Sequence, residues 1–180
     1  MDEIRLNEYI HLCRQGDTAA FRFIVAGYQQ MVYTLAFRLL CNSHDAEDMT
    51  QEVFIKAWQK LGSYNPRYKF STWLYKITCN GCYDKLRSQH HQKRVTITGL
   101  DIPDDTNMED SIHNRELREL ILHLTNHLSQ KQKLVFTLSD IEELEIAEIS
   151  TITGMTPAKI KSNLYLARKQ IKSNFSKDEL

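Results

Sequence analysis

Apolar residues recur along most of this chain at steps of three and four, the period of an α-helix with one buried face. The clearest case is the segment 45–61, whose apolar stripe consists of Ala46, Met49, Val53, Phe54, Ala57, Trp58 and Leu61. The opposite face is polar and begins with acids and amides: Glu47, Asp48, Gln51, Glu52, Lys56 and Lys60. We therefore predict an amphipathic helix here, with one face against a core and the other open to solvent.

The same period predicts three more helices in the first half of the chain, at residues 2–14, 18–40 and 70–87. Ser43 or Asp45 is expected to cap the helix that follows residue 42, and Ser71 to cap the helix that begins at residue 70. From residue 88 to about residue 110 the period is lost, and an acidic cluster follows a basic stretch: Asp101, Asp104, Asp105, Glu109 and Asp110. A polar segment without a helical period is predicted to be a linker.

Helical periodicity returns at residue 112. Ser129 is expected to cap a short helix, and two further helices meet at a turn around Gly154, where Thr156 and Pro157 supply an N-cap and a first-turn proline. Two helices joined by a short glycine-containing turn are typical of the helix-turn-helix motif. The predicted fold is all-α, with a four-helix N-terminal domain (1–90), an acidic linker (91–111) and a helix-turn-helix C-terminal domain (112–180).

The 180 residues carry no formal net charge, but the charges are unevenly distributed. Residues 1–94 hold four more bases than acids, residues 95–120 hold five more acids than bases, and residues 156–174 hold five bases and no acid. Because local basic surfaces govern phosphate contact, a neutral total is compatible with DNA binding that is weak without a partner. The chain has no run of eighteen apolar residues and no signal-peptide core, which favours a cytoplasmic protein.

Two stretches carry side chains suited to nucleic acid. In the C-terminal helix, Lys159 and Lys161 lie beside the backbone N–H groups of its N-terminus, a place suited to phosphate. Between residues 64 and 87, aromatic, basic and amide side chains alternate, as single-stranded DNA requires for stacking, backbone contact and base reading: Tyr64, Asn65, Arg67, Lys69, Phe70, Trp73, Lys76, Asn80, Tyr83 and Arg87. Ordinary packing remains an alternative, since Trp73 and Tyr75 are expected in the core and a basic amphipathic helix can simply pack on its neighbours.

Cys79 and Cys82 have the spacing of redox and zinc motifs, but no second nearby pair of ligands completes a zinc site. Both cysteines fall on the apolar arc of their helix, which favours buried hydrophobic side chains. No metal, cofactor or small-molecule substrate is therefore expected.

Together these segments resemble the extracytoplasmic-function group of the sigma-70 family of bacterial sigma factors, over nearly the whole chain. The resemblance rests on the order and spacing of five stretches: Gln15–Phe21, Asp45–Phe54, Phe70–Arg87, Glu145–Gly154 and Ile160–Lys169. It implies a subunit that is not itself an enzyme, that binds core RNA polymerase and that directs initiation at promoter DNA. It also implies an anti-sigma partner, which in this family is often membrane-tethered.

The resemblance further implies roles for individual residues. The coiled coil of the polymerase's largest subunit would be bound by Asp48, Gln51 and Glu52. A flipped base of the minus-ten element would lie beside Tyr64, Asn65, Lys69 and Phe70, and the same strand would contact Asn80, Tyr83 and Arg87. The minus-thirty-five duplex would contact Lys159, Lys161, Asn163 and Arg168. The acidic linker would follow the RNA-exit path.

The chain departs from the family pattern at a few positions. Asn163 and Leu166 stand where the family often has arginine, and Pro157 is unusual at the start of the reading helix. Two other functions stay open: a stand-alone helix-turn-helix regulator, which would bind duplex DNA tightly without polymerase, and a thiol or metal enzyme built on Cys79 and Cys82.

Overall fold

The computed structural model describes the backbone of residues 2–95, 112–125 and 127–178, and the side chains of residues 2–89, 115–125 and 127–174. Within these ranges every regular element is helical, which confirms the predicted fold class. The N-terminal unit contains α1 Glu3–Arg14, α2 Thr18–Leu40, α3 Ser43–Lys60 and α4 Phe70–Val95. The C-terminal unit contains α5 Ile112–Thr125, α6 Gln130–Phe136, α7 Ile146–Thr153 and α8 Pro157–Asp178. None of the described helices is long and apolar enough to cross a membrane.

The predicted apolar stripes form the core. In α3, the stripe residues Ala46, Met49, Val53 and Ala57 are buried, and the half-buried Trp58 packs edge-on against Phe21 of α2 with ring centroids 5.1 Å apart. The largest side chains that are fully buried in the two units include Ile24, Leu35, Phe37, Leu74, Leu138, Ile149, Ile152 and Ile160. Burying each such side chain contributes about 1.5–3 kcal/mol, so these contacts dominate the stability of a helical fold.

Helices α3 and α4 approach each other closely at Gly81. A Cβ added at this position would lie 2.5 Å from Sδ of the buried Met49. A larger residue would therefore force Met49 to move, at a cost typical of overpacked cores. The glycine thus allows α3 and α4 to pack side by side, so that α4 is held at a fixed distance from α3.

Two predicted helix caps are wrong. Helix α3 is capped by Asn42, whose side chain accepts a hydrogen bond of 2.8 Å from the N–H of Asp45, and Ser43 lies buried in the first turn. Ser71 lies inside α4, which begins at Phe70. Asparagine, serine and aspartate are all good N-caps, so the extended backbone at residue 42, rather than residue type, decides between them.

Other helix ends agree with the sequence or extend beyond it. Ser129 forms a capping box with Gln132, and the Thr156 hydroxyl accepts a bond of 3.4 Å from the N–H of Lys159. Gly154 adopts a positive φ of 70° at the end of α7, as the turn requires. Helix α4 continues to Val95, into the segment assigned to the linker. The remaining linker residues, including its acidic cluster, lie outside the described residues.

Candidate functional site

The outer face of α3 presents the predicted acids and amide to solvent. Because the apolar stripe of this helix is buried, Asp48, Gln51 and Glu52 are all exposed. Glu52 accepts a hydrogen bond of 3.0 Å from Lys56, one turn further along the helix. Exposed acidic and amide side chains on a rigid helix are suited to binding a basic protein surface.

Ile55 lies at the centre of this same face and is not among the predicted site residues. It follows Asp48 by seven residues and Gln51 by four, and it is 57% exposed. A large apolar side chain surrounded by polar ones is typical of the centre of a protein interface. The signal was present in the sequence, because Ile55 is an isoleucine that falls outside the apolar stripe of its own helix.

The loop before α4, residues 64–69, packs on a cluster of aromatic rings. Tyr64 and Phe70 are buried, at 7% and 2% exposure, and their ring centroids lie 5.1 Å apart. Trp73 lies within 5.3 Å of both rings, and Tyr28 lies 5.2 Å from Phe70. The rings of Tyr64 and Phe70 therefore pack beneath the loop and hold it in place, and their expected position beside a flipped base stays a prediction.

Polar contacts fix the path of this loop. The Tyr64 hydroxyl donates to the carbonyl of Tyr68 at 2.7 Å, and the Arg14 guanidinium donates to the carbonyl of Tyr64 at 2.7 Å. Asn65 accepts a bond of 3.0 Å from the N–H of Arg67, which stabilises the turn. Asn65 and Lys69 are exposed, so these two residues of the predicted set remain at the surface of the loop.

The predicted polar arc of α4 lines a groove of about 530 Å³ between the two units. Asn80 and Arg87 are exposed, while Tyr83 is half-buried and donates from its hydroxyl to the carbonyl of Gln130 at 2.9 Å. The groove is also lined by residues of the C-terminal unit, among them Lys131 and Met155. The structure thus brings the three predicted α4 residues together, but on the side of α4 that faces the C-terminal unit.

Two carboxylates of the C-terminal unit accept hydrogen bonds from side chains of the N-terminal unit. Glu142, whose side chain is only 10% exposed, accepts hydrogen bonds from the guanidinium of Arg38 in α2 and from the hydroxyl of Tyr75 in α4, the latter at 2.8 Å. Burial, followed by the charge of Glu142, raises the pKa of Tyr75 well above its ordinary value. One oxygen of Glu148 accepts from Lys69 at 3.0 Å and from the hydroxyl of Thr72 at 3.3 Å.

Helix α8 packs through Ile160, Leu164 and Ala167, which are buried against α6 and α7. Its opposite side carries a line of exposed residues at steps of three and four, Ala158, Ser162, Tyr165 and Lys169. Tyr165 is 66% exposed. Ser162 and Tyr165 were not predicted as site residues. Their exposed position could have been predicted from the sequence, because they lie opposite the apolar stripe of the helix.

The four predicted residues of α8 do not stand in equivalent environments. Lys159 and Lys161 are exposed and flank the outward line. The amide of Asn163 donates to the carbonyl of Lys159 at 2.7 Å, within its own helix. Arg168 forms two hydrogen bonds with Asp140, of 2.6 and 2.9 Å. The two lysines are therefore better placed than Asn163 and Arg168 to contact phosphate.

The cysteine pair of α4 is buried. Burial raises the pKa of Cys82 to about 12, and burial, followed by the charge of Cys82, raises the pKa of Cys79 well above its ordinary value. A nucleophilic or redox thiol requires the opposite shift, because the thiolate is the reactive form. Within the described part of the chain, no group of three or more metal-binding side chains comes together.

We expect the native thiols to react slowly with an aromatic disulfide reagent at pH 8, and all four to react after unfolding in guanidinium. In the folded protein, Cys79 and Cys82 hold their protons at pH values where the same thiols of the unfolded chain lose them. The contribution of these two protonated thiols to the free energy of unfolding is therefore complete below pH 9 and declines as the pH rises towards 12. Thiol titration followed by absorbance checks the first expectation, and thermal unfolding at pH 8 and pH 10 checks the second. A fast-reacting thiol in the folded protein would revive the thiol-enzyme alternative.

Comparison with protein families gives two matches that together cover more than half of the chain. Residues 24–92 match Sigma-70 region 2, and residues 118–171 match Sigma-70, region 4. The chain is 30% identical to the ECF RNA polymerase sigma factor SigW of Bacillus subtilis, in an alignment that covers 94% of this chain and 96% of that protein. It is 28% identical to the ECF RNA polymerase sigma-E factor of Escherichia coli K12, in an alignment that covers 88% of this chain and 87% of that protein.

Solved structures share the fold. The structure of CnrH in complex with the cytosolic domain of CnrY matches with a TM-score of 0.72 at 19% identity, covering 98% of this chain and 99% of that one. The sigma factor RpoE in complex with the anti-sigma factor NepR, from Bartonella quintana, matches with a TM-score of 0.69 at 21% identity, covering 87% and 96%. At these identities the likeness concerns the arrangement of the helices.

Proposed function

This chain belongs to the extracytoplasmic-function group of the sigma-70 family, and from that membership we propose how its own residues divide the work of initiation. As a sigma factor it binds core RNA polymerase and promoter DNA. The proposed domains are residues 1–90, for polymerase and the minus-ten element, and residues 112–180, for the minus-thirty-five element. It acts by binding, without a catalytic group of its own, and in the cytoplasm, where its polymerase is.

The proposed polymerase contact is the outer face of α3. Asp48, Gln51 and Glu52 are exposed on one side of a helix whose other side is packed in the core. Because the backbone of this helix is already ordered, binding loses little conformational entropy. Their charge is complementary to a basic partner such as the coiled coil of the polymerase's largest subunit. Ile55 supplies the apolar centre of this contact.

The proposed minus-ten contact joins the loop before α4 to the polar arc of α4. Asn65 and Lys69 stand at the surface of a loop held by the buried rings below it. Asn80, Tyr83 and Arg87 continue the surface along α4, with an amide, a ring and a cation. Extracting a base from the duplex costs a few kcal/mol, which contacts to the base and the backbone must offset.

The proposed minus-thirty-five contact is the N-terminal half of α8. Lys159 and Lys161 are placed to bind phosphates, while Ser162 and Tyr165 lie on the line that faces a major groove. This assignment extends the predicted set and gives less weight to Asn163 and Arg168, whose side chains are bonded within the protein.

We expect Tyr165→Ala to lower transcription from a promoter with an intact minus-thirty-five element by about fivefold to fiftyfold, because an exposed ring in contact with base edges is lost. The effect should be much smaller on a promoter whose minus-thirty-five element is scrambled. Single-round transcription on both templates measures this difference. Leu120→Ala, which removes an exposed apolar side chain from α5, is the control, and equal losses on both templates would rule out base reading by Tyr165.

An anti-sigma partner is also proposed. Sigma factors of this fold have been solved in complex with such a partner, as the RpoE and NepR structure states for its own chains. Copurification from cells, followed by the loss of transcription when the copurified protein is added back, tests this part of the proposal.

The observation that carries the proposal is the exposed acidic and amide face of α3, in a chain that matches both sigma-70 regions. The decisive experiment is transcription from a promoter library by purified core polymerase, with and without this protein. Start sites that depend on the protein and share two spaced motifs support the proposal. Duplex DNA binding without any dependence on polymerase would instead favour a stand-alone regulator.

A further inference from the structure

Some of the bonds between the two units involve residues assigned to DNA. Lys69 and Thr72, at the beginning of α4, both donate to a single oxygen of Glu148 in α7, at 3.0 and 3.3 Å. The Glu148 side chain is 23% exposed, and Thr72 is 5% exposed where α4 packs against α7. A carboxylate of the C-terminal unit therefore occupies a pair of donors on the proposed DNA-binding surface.

We propose that Lys69 and Thr72 form a phosphate-binding site for the captured single strand, and that Glu148 fills this site in the closed arrangement of the protein. A carboxylate oxygen and a phosphodiester oxygen are both anionic acceptors, so a cation and a hydroxyl that hold one can hold the other. The place is also favourable for an anion, because the first turn of α4 contains no acid and a helix N-terminus carries partial positive charge. The proposal rests on the function assigned above to α4.

The proposed site makes DNA and Glu148 competitors. Because the same two donors cannot serve both acceptors, the apparent affinity for DNA equals the affinity of the open form multiplied by the fraction of molecules in which the site is open. The closed arrangement has further supports away from the site. Glu142 is held by Arg38 and Tyr75, and the Tyr83 hydroxyl is held by the Gln130 carbonyl. The face of α3 stays exposed in the same arrangement, so polymerase can be bound before DNA.

The test measures binding of the full-length protein to a fluorescent single strand of twelve randomised nucleotides, because phosphate contacts are independent of sequence. We expect Glu148→Gln to bind this probe about threefold to tenfold more tightly than the wild-type protein. Glu145→Gln removes the same charge from an exposed position three residues away and should change binding by less than twofold. In the Glu148→Gln background, Lys69→Gln or Thr72→Val should remove the gain, and thermal unfolding checks that each variant is folded.

The outcomes separate this proposal from the proposed function. An equal gain in Glu145→Gln, a gain that survives Thr72→Val, or binding by Glu148→Gln no tighter than wild type would each overturn the phosphate site. Transcription with core polymerase is measured on the same proteins. If polymerase-dependent start sites are found without the expected gain in DNA binding, the sigma function stands and only the phosphate site is rejected. If the gain is found without such start sites, the phosphate site stands and the sigma function is rejected.

Discussion

Replacing Ile55 with glutamate is expected to weaken binding to core RNA polymerase by about thirtyfold or more. Ile55 is 57% exposed in the free protein, so the change costs little stability, while a charge at the centre of an interface must be desolvated on binding. Ile55→Ala should give a smaller loss, of about threefold to thirtyfold, because it removes only apolar contact. Titration of labelled protein with purified core polymerase measures both affinities.

The matched control is Ile4→Glu, because Ile4 is an exposed isoleucine on α1 and is 75% exposed. It introduces the same charge at a position outside the proposed interface and should leave affinity for polymerase unchanged. The double variant Gln51→Ala/Glu52→Ala should lose polymerase binding as well, since it removes polar contacts beside Ile55. If the double variant loses binding and Ile55→Glu does not, Ile55 lies outside the interface.

Removing the amide of Asn80 is expected to lower promoter opening by about tenfold to a hundredfold while polymerase binding stays the same. Asn80 is exposed on the arc of α4 between Lys76 and Tyr83, so Asn80→Ala removes little buried surface. An amide that bonds a base edge contributes about 1–3 kcal/mol to its recognition. Fluorescence of a base analogue placed in the minus-ten element, recorded with core polymerase, reports the rate and extent of opening.

Asn7→Ala removes an exposed amide from α1 and serves as the control for this experiment. The two predictions are complementary, because the α3 variants should lose polymerase binding and the Asn80 variant should lose only opening. A loss of both activities in Asn80→Ala, with a lowered melting temperature, would mean that Asn80 supports the fold and would remove it from the DNA surface.

The four helices of the N-terminal unit were predictable because each one has a strong apolar period, and α2 was predicted at residues 18–40, the range that it occupies. The helix-turn-helix was predictable for a similar reason, because Gly154 and Pro157 mark the two sides of its turn. Position on a helix also identifies Ile55 and Tyr165, which stand opposite or outside the stripes of their helices. These features depend on residues close together in the chain.

The sequence by itself determined the class of fold, the exposed face of α3 and the family of the chain. Helical periodicity and motif spacing relate residues that are close together in the chain, so they can be read without the tertiary structure. Only the tertiary structure decided that Tyr64 and Phe70 are buried, since their packing partners include Tyr28, which lies far from them in sequence. It alone also revealed the bonds of Glu142 and Glu148, whose donors are more than sixty residues away. No spacing rule relates such positions, because the packing of whole helices brings them together.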